Sequence, residues 1–281
     1  MSDDRSKGLL HNKSFWTRTV TGIVMALVLV AIFVIGGDVM FVFLMLLSLI
    51  GAFELYRALK IHKSLLSVIG YAAIITHYIF IRFFTADYIV LVYSGALILI
   101  MAVFVFRYPR YKLAQLFGAF FGIFYTGVTL SFLYMLRMIP DSGAFLVWLI
   151  ILSSWGCDIF AYLSGMLFGK HKFAHRISPN KSVEGAVGGV VGATVLALIY
   201  GIIVRGFIPD MKLVPLVFAL ICFFGSVVSQ IGDLTASGIK RQVGIKDYGR
   251  LFPGHGGVLD RFDSVIIVAP VLYFITVLAV V

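Results

Sequence analysis

Apolar residues fall into nine long runs separated by short polar segments, at 17–35, 39–56, 65–84, 88–106, 114–138, 144–168, 183–204, 213–238 and 264–281. Each run approaches the roughly 20 residues that an α-helix needs to cross a bilayer. The strands of an outer-membrane barrel are half that length and alternate in polarity, so the pattern predicts an all-α polytopic membrane protein. The first run follows a short basic segment but exceeds a signal-peptide core in length, and it is expected to be retained. Loops between the first five spans are short and carry no obvious chemistry. Two polar segments interrupt the second half, at 169–182 and 239–263, so the last four spans are expected to build a polar cavity. The chain accordingly divides into spans 1–4 (residues 1–106) and a site-bearing part, spans 5–9 (residues 107–281).

Composition agrees with this division. Mean hydropathy is +1.04, 61% of residues are hydrophobic and only 13% are charged, about half the charge of a soluble domain. If the N-terminus and the even-numbered loops share one side, that side holds 19 of the 23 Lys and Arg. Only Arg82, Arg137, Arg205 and Lys212 lie opposite. The positive-inside rule then puts the N-terminus and the two long polar segments in the cytoplasm and the C-terminus outside. The net charge of +10 is mostly this topological signal; it favours anionic lipid and nucleotide and gives no reason to expect nucleic acid. Cys157 and Cys222 both fall inside spans, which argues against a disulfide framework.

Residues 237–263 concentrate the chemistry: five cations, three carboxylates, one histidine and six glycines in 27 positions. Charge near lipid is costly and is usually kept for function. Gly254, Gly256 and Gly257 around His255 allow backbone N–H groups to approach an anion. Asp260 and Asp263 offer the hard oxygens that Mg²⁺ prefers; capping of the last helix needs only one residue, for which Ser264 is available, so a second aspartate beside Arg261 favours metal or substrate binding. Asp233 lies inside the eighth span with Ser237 and Lys240 on the same face; it is either a site carboxylate or one neutralised by Lys240. Asp158 lies at mid-membrane in the sixth span with no neutralising neighbour in sequence. It shares a face with Tyr162, Gly165 and Gly169, glycines at a spacing typical of helix packing. Lys170, Lys172, Arg176 and Lys181 fit ordinary positive-inside charge taken singly, and Ser182 with Glu184 reads as a helix start. His171, His175 and His255 form no zinc pattern. Glu54, one turn before Arg57, reads as a local ion pair. No Walker loop, GxSxG elbow or GxGxxG fingerprint occurs in a usable context.

Together, Ser237, Lys240, Arg241, Lys246, Asp247, Gly249, Phe252, Pro253, His255, Gly256, Gly257, Asp260, Arg261 and Asp263 resemble the hallmark pattern of the phosphatidate cytidylyltransferases, also called CDP-diglyceride synthases. Asp158, Tyr162, Gly165, Lys170, Ser178, Pro179, Lys181 and Glu184 are also similar to that family. The resemblance runs from about residue 155 onward; the first half matches only as a hydrophobic profile. It implies condensation of CTP with phosphatidic acid to CDP-diacylglycerol and diphosphate, with Mg²⁺ as cofactor and room for a second, monovalent cation. It also implies nine helices, a homodimer and the bacterial inner membrane. Asp233 and Asp260 map onto the family's metal ligands, with Asp263 close by and Lys240 next to the metal. Within the resembling segments, Lys170, Ser178, Lys181, Ser237, Arg241, Lys246, His255 and Arg261 are the expected substrate-binding residues.

The expected chemistry is direct, in-line transfer, because the phosphate of phosphatidic acid is already ionised and needs no strong base. His255 is then a hydrogen-bond donor or loop organiser. Two other classes compete. A CDP-alcohol phosphotransferase should carry a DGxxAR motif, and the nearest counterpart here is only Gly232-Asp233. A membrane transporter should show broken helices in matching places of two halves, whereas polar residues here crowd one half.

Overall fold

The computed structural model describes residues 13–84, 88–209 and 211–280. Arg5 and Lys7, which contribute to the charge bias, lie outside the described residues. Among the described residues, nine helices are long and apolar enough to cross a membrane. They are α1 (Lys13–Ile35), α2 (Gly37–Ala58), α3 (Leu65–Phe83), α4 (Ile89–Phe106), α5 (Leu113–Arg137), α6 (Gly143–Phe168), α7 (Val183–Val204), α8 (Val214–Gln242) and α9 (Leu259–Val280). The only β pairing among the described residues is two isolated bridges, Lys172–Ser182 and Phe252–Gly256. The chain is an integral, all-α membrane protein.

Burial separates inner helices from outer ones. About 61% of the apolar stretch of α5 and 56% of that of α2 is buried, against 11% for α1 and for α4. The bundle is therefore centred on α2 and α5, with α1 and α4 at its edge. A tight trio, α6, α7 and α8, forms its second half, and α9 packs along α8. The sequence of α7 explains this closeness. Gly185, Gly189, Ala193, Ala197 and Gly201 recur every fourth residue and are all buried, a small-residue stripe that brings backbones together. A Cβ on Gly189 would sit 2.9 Å from that of Ala161 on α6. Gly165 of α6 faces Ser182 and Gly185 in the same interface, so the glycine spacing of α6 serves packing as predicted.

Two helix ends differ from the hydropathy reading. The eighth span continues to Gln242 rather than residue 238, and the last begins at Leu259 rather than at residue 264. Hydropathy falls at Lys240, Arg241, Asp260 and Arg261, but helical hydrogen bonding continues through them. Cations in a last turn and an aspartate in a first turn complement the helix dipole. Ser264 consequently lies inside α9, buried and without a hydrogen-bond partner for its hydroxyl, and caps nothing. The expected start of α7 holds: the Ser182 hydroxyl accepts from the Gly185 N–H at 3.2 Å.

Helical regularity breaks twice inside the bundle. α5 has a π-helical turn at Ile123–Val128, and α6 has one at Leu152–Gly156. Such turns are frequent at functional sites because they reset the direction of the side chains that follow. The first carries Tyr125; the second ends two residues before Asp158.

Candidate functional site

Residues 243–258 connect α8 to α9, and two buried carboxylates hold this loop. Asp260 Oδ2 accepts the backbone N–H groups of Tyr248 (2.8 Å), Gly257 (2.9 Å) and Gly249 (3.4 Å). Its Oδ1 receives Lys240 Nζ at 2.9 Å, with the Asp260 side chain only 2% exposed. Glu54 of α2 does the same from the other side. Its two oxygens accept from Val258 N (3.1 Å) and Leu259 N (2.9 Å), N–H groups that a helix start leaves orphaned. Arg57 donates to the Tyr248 carbonyl. The expected Glu54–Arg57 ion pair is thus replaced by two long-range clamps, because a buried carboxylate gains more from orphan amides than from a neighbour that can reach a carbonyl.

This clamp demands glycine. A Cβ on Gly249 or Gly257 would collide with the Glu54 carboxylate. Gly256 has φ +85° and lies against Asp260, a left-handed conformation that L side chains resist. Tyr248 is buried within the clamp, and its hydroxyl donates to the Ala236 carbonyl at 3.2 Å. Burial pushes the Tyr248 phenol well above its ordinary range, so it stays protonated. The expectation that the last four spans build the polar cavity is widened here: Glu54 and Arg57 of α2 reach the loop across about 200 residues of sequence.

A second acidic region lies deeper. Asp158, Asp233 and Asp263 come from α6, α8 and α9 and lie within each other's electrostatic field. Asp233 pairs with Lys181, which precedes α7, rather than with Lys240. Lys240 is drawn away by Asp260, so the reading of Asp233 as neutralised on its own helix fails. Asp158 is exposed to a cavity of about 410 Å³ lined also by Tyr162, Phe173, Lys181 and Gln230. The buried hydroxyl of Tyr125, without a hydrogen-bond partner, lies in the field of Asp263 and Asp233. Sequence reading passed over Tyr125, since one tyrosine in an aromatic-rich span carries no signal; its π-helical turn is visible only in the structure.

A third region is basic. Arg18, Lys246, Arg250, His255 and Arg261 line a cavity of about 470 Å³ at the loop. His255 Nδ1 and Arg261 Nε are buried there with no protein partner, a rare condition for native polar groups. Arg261 lines this cavity, and its charge also acts on Asp158. Trp155 Nε1 donates to the Arg261 carbonyl at 3.1 Å and fixes its place in α9. Of the remaining expected residues, Arg241 Nε contacts the Ile177 carbonyl at 3.5 Å and links α8 to the segment before α7. Ser178 lies in that segment's turn, accepting from Lys181 N at 3.3 Å. The Lys170 N–H donates to Glu184 at 3.0 Å, and its side chain is exposed. Ser237 is half-buried one turn beyond Asp233.

Among the described residues no three His, Cys, Asp or Glu side chains close on one point as a ready metal cage. Mg²⁺ needs less, because it is typically held by one or two carboxylates plus substrate phosphates. Asp233 and Asp263 provide such oxygens; with Asp158 they share one direct ion pair, to Lys181, and Lys240 and Arg261 act on them only through their fields. The donor set therefore fits Mg²⁺ at Asp233 and Asp263. Asp260 has three amides and one ammonium on its two oxygens already.

Residues 16–279 match the Cytidylyltransferase family. A phosphatidate cytidylyltransferase of Bacillus subtilis is 32% identical over 273 residues, covering 93% of this chain and 97% of that protein. One from Staphylococcus haemolyticus is 33% identical over 260 residues, covering 91% and 96%. One from Staphylococcus saprophyticus is 40% identical over 151 residues, covering 54% of this chain. The match begins in α1, so the likeness extends well before residue 155, where the sequence motifs begin.

Proposed function

We propose, for a chain that belongs to the cytidylyltransferase family, that it transfers CMP from CTP to phosphatidic acid and yields CDP-diacylglycerol and diphosphate. The observation that carries this reading is the coexistence of a three-carboxylate region, Asp158, Asp233 and Asp263, with a basic cavity lined by Arg18, Lys246, Arg250 and Arg261. That division suits a nucleotide triphosphate with its cation on one side and a phosphomonoester lipid on the other.

A phosphate oxygen of phosphatidic acid attacks the α-phosphorus of CTP in line. One P–O bond forms, the bond to the β-phosphate bridge breaks, and diphosphate leaves with the electron pair. Two anions must meet, so fixed positive charge dominates the task. Lys240, immobilised by Asp260, is a preorganised cation rather than a nucleophile. Arg261 faces both reactants, and His255 donates a hydrogen bond. Lys246 serves the lipid phosphate, while Lys170, Ser178, Lys181, Ser237 and Arg241 serve the nucleotide side. Asp233 and Asp263 would hold Mg²⁺, which would supply Lewis-acid neutralisation of the reacting phosphates, and the unpartnered Tyr125 hydroxyl lies in the field of that carboxylate pair. Asp260 is assigned to the loop and Lys240. The chemistry lies in residues 107–281, and residues 1–106 hold its loop in place. The charge bias supports an N-terminus and site facing the cytoplasm of a bacterial inner membrane, with the homodimer implied by the family likeness.

Purified protein given CTP labelled at the α-phosphate, Mg²⁺ and phosphatidic acid should form labelled CDP-diacylglycerol. Omitting the lipid should leave the protein unlabelled and give no exchange of diphosphate into CTP. A labelled protein band without lipid, lost in Lys240→Met or His255→Ala, would replace direct transfer by a covalent cytidylyl-enzyme.

A further inference from the structure

Phe252 lines two cavities at once. Above it is the basic cavity of the loop; below it lies a slot of about 330 Å³ between α1 and α2. Val24, Met25, Val28, Leu46, Leu47 and Phe262 shape the slot. Thr21 alone among its lining residues is polar, and its hydroxyl is satisfied by the Thr17 carbonyl at 2.7 Å. We propose that this slot takes one acyl chain of the acceptor phospholipid while its phosphate sits in the basic cavity on Arg18, His255 and Arg261.

The polarity of the pair matches an amphiphile. An apolar cavity of this kind does not hold water, and in a bilayer a hydrocarbon chain is its natural filling. The slot is open to that bilayer, since Val24, Val28 and Leu46 are each about half exposed. At its upper end the lining turns basic, with Arg18, His255 and Arg261, and two buried nitrogens of that lining, His255 Nδ1 and Arg261 Nε, lack any protein partner. Helix α1 joins the two parts. Arg18 packs on Gly254, and Gly22 faces His255 four residues further along the same helix. The Asp158 cavity is a poorer lipid site, because its carboxylate is matched by a single cation, Lys181, whereas Asp247 in the basic cavity stands among Arg18, Lys246, Arg250 and Arg261. The expectation that the site needs only the last four spans is thereby extended: α1 and α2 form the lipid side.

This inference rests on the function proposed above, and the test separates the two. The full chain in phosphatidylcholine nanodiscs is irradiated with phosphatidic acid carrying a diazirine near the end of one acyl chain. Label should fall on α1 and α2 and be displaced by excess unlabelled phosphatidic acid but not by phosphatidylcholine. Displaceable label around Tyr162 and Met166, or α1–α2 label that phosphatidic acid does not displace, overturns the slot. A second measurement uses Val28→Trp, a substitution at a half-exposed position about 15 Å along α1 from Arg18. KM for dioleoyl phosphatidic acid should rise about tenfold, as expected for loss of a few buried methylenes. KM for CTP should stay within about twofold, as should KM for a dihexanoyl lipid too short to reach Val28. Equal shifts for both lipids would refute the slot. Failure of the wild-type chain to make CDP-diacylglycerol would refute the proposed reaction while leaving a displaceable crosslink as a lipid site.

Discussion

The loop under Asp260 and the groove around Asp233 use the same side chain in opposite ways. Asp260 is buried, and its two oxygens already meet three amides and one ammonium. Asp233 is half-buried, has one cationic partner, and shares its field with two further carboxylates. The first arrangement is closed: burial of a charge is compensated by hydrogen bonds, as it must be. The second is open: three carboxylates share one direct ion pair, to Lys181, with Lys240 and Arg261 acting only through their fields. An open carboxylate is suited to a cation and a polyphosphate, a closed one to fixing backbone. Both lie in the same membrane-embedded half, and only their partners tell them apart.

Substituting each aspartate by asparagine is the strongest way to break this contrast. Asp233→Asn should abolish turnover, by at least about 10³-fold, since a lost metal carboxylate removes several kcal/mol of transition-state stabilisation. Its thermal midpoint should stay near wild type, because the change also relieves repulsion with Asp158 and Asp263. Asp260→Asn should lose turnover too, but by opening the loop. Breaking a buried charge network costs about 3–5 kcal/mol, so its midpoint should fall and residues 243–257 should become protease-sensitive. Midpoint, proteolysis and the Mg²⁺ concentration for half-maximal rate, measured together, decide the matter. A stable Asp260→Asn protein with an altered Mg²⁺ requirement would return Asp260 to the metal site.

Glu54→Gln sharpens the contrast with a smaller effect. The amide is isosteric but offers one acceptor oxygen where two N–H groups need acceptors, and its NH₂ would oppose the other. Leaving a buried donor unsatisfied costs about 1–3 kcal/mol, so kcat should fall by on the order of tenfold to a hundredfold. KM for CTP should change little if Glu54 acts only through the loop. A large rise in that KM with kcat preserved would instead place Glu54 against the nucleotide.

Glu54 also marks where sequence reading stops. The spans were legible because each is a continuous apolar run of bilayer length, and residues 237–263 because charge is so sparse elsewhere in the chain. Ser182 as a cap was legible because capping is local. Glu54 has a local partner at the right spacing in Arg57, so a local ion pair satisfied the sequence; the true partners are more than 200 residues away. Asp233 misled in the same way, with Lys240 two turns on along the same helix but committed to Asp260 in the fold. The closeness of α6 to α7 was half legible from Gly165, yet the π-helical turns that redirect Tyr125 and precede Asp158 leave no trace in hydropathy.

The far end of the bundle supplies the smallest expected effect and a control for all the others. Asp38 at the start of α2 pairs with Arg82 at the end of α3, with Oδ1 receiving Nε at 3.1 Å and Nη2 at 2.9 Å. This pair resembles the site pairs in geometry but not in surroundings. The Asp38 side chain is 77% exposed, so water and salt screen the attraction and it adds little. Arg82 keeps a second contact, its guanidinium lying 5.4 Å from the centre of the Phe83 ring. Asp38→Asn should therefore leave both turnover and thermal midpoint at wild-type values in ordinary salt. A drop in turnover beyond about twofold, more than the loss of a screened surface pair can explain, would mean that α2 transmits strain from Asp38 to Glu54 along its length. The loop clamp would then be one end of a rigid lever rather than an isolated fastening.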